Sequence, residues 1–144
     1  PEATTDLSTQ TQTRILALRS SYLFQGLDFR RLLQVLEIGQ ERRLASGEVL
    51  LEAGQQMNAF YLVLHGSLEL TALAPTDAER VPSRSWYLGG VVGDRWMYRG
   101  RGAPGEVKAK GKTLVLELSK PAFRAMLLQN PVLGIELMER ITSQ

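Results

Sequence analysis

The sequence predicts an α+β fold, in which an antiparallel β-roll or jelly roll of about eight strands is flanked by N-terminal and C-terminal helices. Three observations support this prediction. Apolar residues recur at helical spacing before Gly39, short strand-like segments with frequent turns fill the middle, and helical spacing returns after Ser119. A chain of 144 residues is also long enough to bury the core of one domain.

The N-terminal part predicts a tail followed by two helices. Residues 1–11 are rich in Thr, Ser and Gln and predict a disordered tail, which leaves 12–144 as a single domain. Helices are expected within 12–38. Asp28 is a typical N-cap for the second of them, and Gly39 ends it. The predicted buried face of that helix consists of Phe29, Leu32, Leu33 and Leu36.

The middle of the chain, residues 41–118, carries the predicted roll. Its strand-like segments are 48–52, 59–64, 68–71, 85–88, 106–109 and 113–118, with an exposed polar hairpin tip at 75–85. The C-terminal helices are expected over 119–142. Ser119 and Asn130 are predicted caps, and each is followed by a proline suited to a first helical turn.

Composition excludes several classes of chemistry. The chain has no cysteine, so disulfides, thiolate metal sites and a cysteine nucleophile are ruled out. His65 is the only histidine, so one chain cannot build a site from several imidazoles, and a Ser-His-Asp triad would need His65 as its base. We therefore expect no enzyme and no metal cofactor. No apolar run predicts a membrane span and the N-terminus has no signal-peptide pattern, so we expect a cytoplasmic protein.

Residues 88–107 are the candidate functional segment. They are rich in glycine, and residues 95–112 contain six Lys and Arg side chains against one acid, Glu106, although the whole chain is only +2. Glycines let backbone N–H groups approach an anion, and arginines supply forked donors. One hypothesis is a phosphate-binding loop, and the other is a solvated basic loop.

Five segments in order resemble the cyclic nucleotide-binding domain family over roughly residues 15–142. They are Phe24-Gln25-Gly26-Leu27 before a helix, the Leu44–Gly54 segment with its two glycines, the Phe60–Leu70 hairpin, Gly89-Gly90-Val91-Val92-Gly93-Asp94, and Leu114–Phe123 with its following helix. The resemblance implies a β-roll with a phosphate-binding cassette, here residues 93–107. It also implies a C-terminal hinge helix that relays ligand binding to an effector.

The resemblance supplies candidate ligand contacts. In the family a Glu in the cassette accepts from the ribose 2′-hydroxyl and an Arg pairs with the cyclic phosphate; Asp94 and Ala103 fall at those two positions. The candidate ligands are cyclic nucleotides such as cyclic AMP or cyclic di-GMP. The candidate ligand-binding residues are Val92, Gly93, Asp94, Arg95, Arg99, Arg101, Gly102, Ala103 and Pro104.

Two departures from the family pattern change what the cassette can do. Asp94 is one methylene shorter than Glu, and Ala103 has no group to pair with a phosphate. Loss of a desolvated bidentate Arg–phosphate contact costs several kcal/mol, roughly a thousandfold in affinity. Arg99 or Arg101 could take over the missing charge if the glycines rearrange the loop.

Three functions follow. The first is a regulatory sensor of a nucleotide or other anionic ligand, which relays to a linked effector through its C-terminal helices. The second is a degenerate domain that no longer binds cyclic mononucleotides and serves as a protein-interaction or assembly module. The third is nucleic-acid or anionic-surface binding through the basic and aromatic residues 95–101. The expected partner is an effector domain or partner protein. The chain ends soon after the hinge helix without a helix-turn-helix pattern, which predicts an excised domain and argues against DNA binding.

Overall fold

The computed structural model describes residues 2–71 and 84–143, with the backbone alone for residues 2–9. The helices are α1 Glu2–Ser20, α2 Phe29–Ile38, α3 Asp94–Tyr98, α4 Lys120–Gln129 and α5 Pro131–Thr142. The strands are β1 Gln40–Leu44, β2 Val49–Leu51, β3 Ala59–His65, β4 Leu68–Thr71, β5 Arg84–Trp86, β6 Val91–Val92, β7 Glu106–Ala109 and β8 Thr113–Ser119. Residues 75–83 of the expected hairpin tip lie outside the described residues.

The strands form the two antiparallel sheets of a β-roll, so the predicted α+β class is confirmed. One sheet has the order β1-β8-β3-β6 and the other β2-β7-β4-β5. The long strands β3 and β8 pair along most of their length, from Ala59 opposite Ser119 to His65 opposite Leu114. Because β3 is almost wholly apolar, it is buried on both faces and forms the centre of its sheet.

Two hydrophobic cores lie on opposite faces of the β1-β8-β3-β6 sheet. One fills the roll between the sheets and includes Tyr61, Trp86 and Val115. The other lies under the helices and is built around Phe60 and Phe123, whose rings meet edge to face at 5.0 Å. Alternation along β3 sends successive side chains into different cores, which is how one apolar strand serves both.

The helix caps form as predicted, but two helical details differ from expectation. Asp28, Ser119 and Asn130 each accept a hydrogen bond from a backbone amide of the helix that follows. α1 begins at Glu2, so the segment expected to be a disordered tail is helical; no Gly or Pro interrupts residues 2–20.

The face that α2 buries is also rotated from the predicted one. Leu32 and Val35 are fully buried, whereas Phe29 is 53% exposed and Leu33 38%. The buried face therefore runs through the i and i+3 positions Leu32 and Val35, with Leu36 partly buried beside them. Sequence spacing defined an apolar stripe, and packing selected which edge of that stripe meets the core.

Candidate functional site

The cassette begins where β6 turns sharply into α3. Val92 pairs with Tyr61 across the sheet and is fully buried. Gly93 follows in the left-handed region, with φ of 92°, and serves as the N-cap of α3. The positive φ favours glycine here, and a Cβ at this position would also displace the flexible end of the Met57 side chain. This turn fixes the direction of the Asp94 side chain.

Asp94 is buried and bonded to the N-terminal segment of the chain. Its side chain is only 4% exposed, and its Oδ2 accepts a hydrogen bond from the Tyr22 hydroxyl. Burial raises the pKa of Asp94 to about 6 from an ordinary 3.8, although the backbone N–H and the charge of Arg95 oppose the rise. The carboxylate thus has a protein partner already.

Ala103 lies on the roll side of the cassette and is 3% exposed. Its amide donates to the carbonyl of Gln55 at 3.2 Å, and its carbonyl accepts from the amide of Gly54 at 2.7 Å. A Cβ on the preceding Gly102 would lie 2.6 Å from the Gly54 oxygen. The loop after α3 is therefore docked backbone to backbone against the β2–β3 turn.

The arginine side chains of the cassette are less buried than Ala103. The Arg95 guanidinium lies over the Tyr22 ring, 5.9 Å from its centroid. Arg99 and Arg101 are exposed, and the amide of Arg101 donates to the Trp96 carbonyl at 2.9 Å. Pro104 is exposed and Gly105 buried. The expected ligand contacts therefore divide into a buried set, with Val92, Asp94 and Ala103, and an exposed basic set.

The two aromatic side chains of α3 take part in packing. Trp96 meets Trp86 edge to face at 6.3 Å and packs against the roll core. Tyr98 lies against Phe123, and Lys120 Nζ is 5.4 Å from the Tyr98 ring centroid. Burial raises the pKa of Tyr98 to about 12, and its hydroxyl has no hydrogen-bond partner among the described residues. Both rings thus take part in packing, and each remains partly exposed.

Sequence reasoning missed several residues around the cassette. Tyr22 is not among the candidate residues, yet its hydroxyl donates to Asp94. Met57 falls in a predicted turn, yet it packs against both cores and touches Gly93. Tyr22 is separated from Asp94 by 72 positions, so neither local pattern nor motif spacing could pair them.

A small cavity of about 330 Å³ opens beside the β2–β3 turn. Tyr61 and Glu117 line it as a cross-strand pair, with the Tyr61 hydroxyl donating to Glu117 Oε1 at 3.0 Å. Arg42 Nη1 contacts the same oxygen at 3.4 Å. Burial and the neighbouring Glu117 charge raise the pKa of Tyr61 to about 12. The polar groups at this opening are thus bonded mainly to one another.

Within residues 10–71 and 84–143, no group of three or more His, Cys, Asp or Glu side chains could hold a metal ion. No helix in the same ranges is both long and apolar enough to span a bilayer.

The antiparallel roll, the short helix after β6 and the closing α4–α5 pair define the class of regulatory β-roll domains. The family model of the cyclic nucleotide-binding domain matches residues 41–130, and the chain belongs to this family. The resemblance seen in the sequence is thereby confirmed. No protein with a curated description matches the chain significantly.

Solved structures share this fold. The N-terminal domain of a transcriptional regulator from Streptomyces coelicolor superposes with a TM-score of 0.78 at 20% identity, over 88% of this chain and 90% of the other. A cyclic nucleotide-binding domain from Methylobacillus flagellatus gives 0.77 at 18% identity, over 92% and 74%. The regulatory domain of Toxoplasma gondii PKA, solved with cAMP, gives 0.69 at 25% identity, over 81% and 44%.

Other relatives are longer than this chain. It spans 59% of a regulatory protein from Silicibacter pomeroyi, with a TM-score of 0.74 at 21% identity over 90% of this chain. The domain described here therefore corresponds to part of such a protein.

Proposed function

We propose that this domain is a regulatory module that works through protein contacts and does not hold a cyclic mononucleotide by the family's usual cassette contacts. The observation that carries the proposal is Ala103. It stands where the family's phosphate-binding Arg stands, and its backbone is bonded on both sides to Gly54 and Gln55. A cyclic phosphate at this position would lack its main cationic partner, which costs roughly a thousandfold in affinity.

The state of Asp94 supports the same proposal. A carboxylate that accepts from a ribose hydroxyl must be free to turn toward the ligand, but Asp94 is buried and bonded to Tyr22. Recruiting Asp94 for a ligand would break that bond and leave the Tyr22 hydroxyl to find another partner. Both polar contacts that orient a cyclic nucleotide in the family are thus missing or already used.

A relay to a partner is supported by the contacts of residues 22–25. Tyr22 bonds Asp94 of the cassette, while the carbonyls of Leu23 and Gln25 each accept from Arg140 Nη1 of α5 at 2.8 Å. The same short segment therefore connects the cassette to the last helix. A partner that displaces α5 would act on the cassette through these bonds, and the reverse also holds.

Thermal unfolding with a nucleotide panel tests the proposal. A site with a Kd near 10 µM would raise the free energy of unfolding by about 2.7 kcal/mol at 1 mM ligand, which is a shift of several degrees in Tm. We expect no such shift with cyclic AMP, cyclic GMP or cyclic di-GMP. The Toxoplasma gondii PKA regulatory domain, which was solved with cAMP, serves as the positive control for the assay.

A clear shift with cyclic AMP or cyclic GMP would overturn the proposal. The double variant Arg99→Gln/Arg101→Gln would then show which site is used. If it abolishes the shift, the exposed arginines have replaced the missing Arg at position 103. The variant Arg19→Gln/Arg30→Gln removes the same charge from exposed positions on α1 and α2 and is the matched control.

A further inference from the structure

A second cavity, lined by no residue of the cassette, lies between α1 and the end of the β1-β8-β3 sheet. Its volume is about 720 Å³. Leu64 and Leu114 supply apolar surface, and Leu64 is 1% exposed. Gln10, Thr13 and Arg14 of α1 form the opposite wall. The cavity thus has an apolar floor under a helix with polar side chains.

The strand register brings two basic side chains to this cavity in one row. Arg43 of β1 lies opposite Leu114 of β8, and His65 of β3 lies opposite the same Leu114. Residues directly opposite one another in an antiparallel pair share a face of the sheet. A register shift between Val63 and His65 places His65 in this row at the end of β3. Lys112, just before β8, adds an ammonium group to the rim.

Only some of the charged side chains around the cavity have a hydrogen-bond or ion-pair partner. Arg14 is neutralised by Glu41, which accepts from both its Nε and its Nη2 atoms. Glu48 also lines the cavity, and its Oε1 accepts from the amide of Ala45 at 3.1 Å. In contrast, the exposed side chains of Arg43, His65 and Lys112 form no hydrogen bond or ion pair within residues 10–71 and 84–143. Donors without a carboxylate partner therefore border an apolar floor.

We propose that this cavity binds a small amphipathic organic anion. Its carboxylate, sulfate or phosphate head contacts Arg43, Lys112 and His65, and its aliphatic or aromatic body lies on Leu64 and Leu114 beneath α1. Forked guanidinium donors suit such a head, and burial of the body adds affinity in proportion to the apolar area covered. The site is independent of the cassette and shares no residue with residues 93–107.

Titration with octanoate, followed by NMR, tests this proposal. His65 is the only histidine, so its imidazole signals need no assignment among several rings. Octanoate is expected to shift the His65 ring and the Leu64 and Leu114 methyl signals with one saturating curve. 1-Octanol, which lacks the head, and inorganic phosphate, which lacks the body, are each expected to bind at least about tenfold more weakly.

Two double variants locate the charge requirement. Arg43→Gln/Lys112→Gln is expected to weaken octanoate binding about tenfold or more. Arg19→Gln/Arg30→Gln makes the same charge change at exposed positions that do not line the cavity and should bind like wild type. No saturable shift at His65 and Leu114, octanol binding as tightly as octanoate, or equal weakening in both variants would each overturn the proposal. The comparison of octanoate with octanol uses wild-type protein, so it stands even if a variant folds poorly.

Discussion

At the scale of single residues, Asp94 and Ala103 separate this chain from the family pattern in different ways. Ala103 is the residue that we expect at the position of the family's phosphate-binding Arg, and its methyl group offers no cation to a phosphate. Asp94 keeps a carboxylate, but the shorter side chain sits at 4% exposure and bonds Tyr22. A buried carboxylate that is bonded to a neutral hydroxyl pays a desolvation cost whenever it is charged, and this cost has a measurable pH dependence.

We expect Asp94→Asn to remove part of the pH dependence of stability. The pKa of Asp94 is raised to about 6 in the folded state, so the folded state binds the proton more tightly than the unfolded state does. The free energy of unfolding from this group is therefore highest below about pH 4 and falls by about 2–3 kcal/mol as the pH rises to about 6.5. Urea unfolding of wild type and variant between pH 4 and pH 7.5 measures the difference.

The predicted difference in stability between Asp94→Asn and wild type depends on pH. Asp94→Asn should be more stable than wild type at pH 7.5 and similar to it near pH 4, because Asn can still accept from Tyr22 without carrying a charge. Glu37→Gln, an exposed carboxylate on α2, should leave the wild-type curve unchanged. A decline of equal size in wild type and Asp94→Asn would show that burial of Asp94 is not its source.

At the scale of elements, the cassette is held by close backbone approaches. Gly93, the N-cap of α3, packs close to Met57, and the loop after α3 is bonded through Ala103 to Gly54 and Gln55. The β2–β3 turn therefore clamps both ends of the cassette. A short helix of five residues has little stability of its own, so these contacts determine its position.

We expect Gly93→Ala to destabilise the fold by about 1–3 kcal/mol, from the positive φ together with the overlap on Met57. Met57→Ala in the same chain should restore the steric part and leave the backbone part, which a double-mutant cycle measures by urea unfolding. Gly100→Ala is the matched control, because Gly100 also has a positive φ of 67° but a Cβ there meets nothing within 4 Å. Additive effects of Gly93→Ala and Met57→Ala would show that Met57 does not restrict the Cβ at position 93.

At the scale of the whole molecule, the N-terminal and C-terminal helices share one core against the roll. α1, α2, α4 and α5 all contribute to the cluster around Phe24, Phe60 and Phe123. Arg140 of α5 ties this arrangement at its edge by donating to the carbonyls of Leu23 and Gln25 and to Glu136. The position of the last helix therefore depends on the segment that also holds Asp94.

We expect Arg140→Ala to cost about 2–3 kcal/mol of unfolding free energy, since two backbone carbonyls lose a charged donor. Hydrogen exchange should show lower protection in α5 and in residues 21–27, with the sheet amides of β3 and β8 less affected. Arg124→Ala, an exposed arginine on α4, should change stability by less than about 0.5 kcal/mol. Uniform loss of protection across the roll would argue against a local tie.

The sequence by itself determined the class of fold and the family, and it predicted six of the eight strands that the structure describes; β1 and β6 were not among the predicted segments. Alternating and helical periodicities mark the strands and helices, and caps such as Asp28 and Ser119 mark helix starts, because these patterns depend on neighbours within a few positions. The placement of Asp94 and Ala103 opposite the family's Glu and Arg also came from the sequence, and it stays a prediction. Packing against the core decided which face of α2 is buried. The start of α1 at Glu2 is allowed because no Gly or Pro interrupts residues 2–20.

Only the tertiary structure decided what the cassette residues touch. Tyr22 donates a hydrogen bond to Asp94, 72 positions away, and Met57 packs close to Gly93. Arg43 and His65 each lie opposite Leu114, which belongs to a third strand, β8. Such contacts arise where separate elements dock, and no local pattern in the chain encodes which side chains then become neighbours. Chemistry that needs a particular residue type could therefore be predicted from the sequence, whereas the partner that engages each residue required the fold.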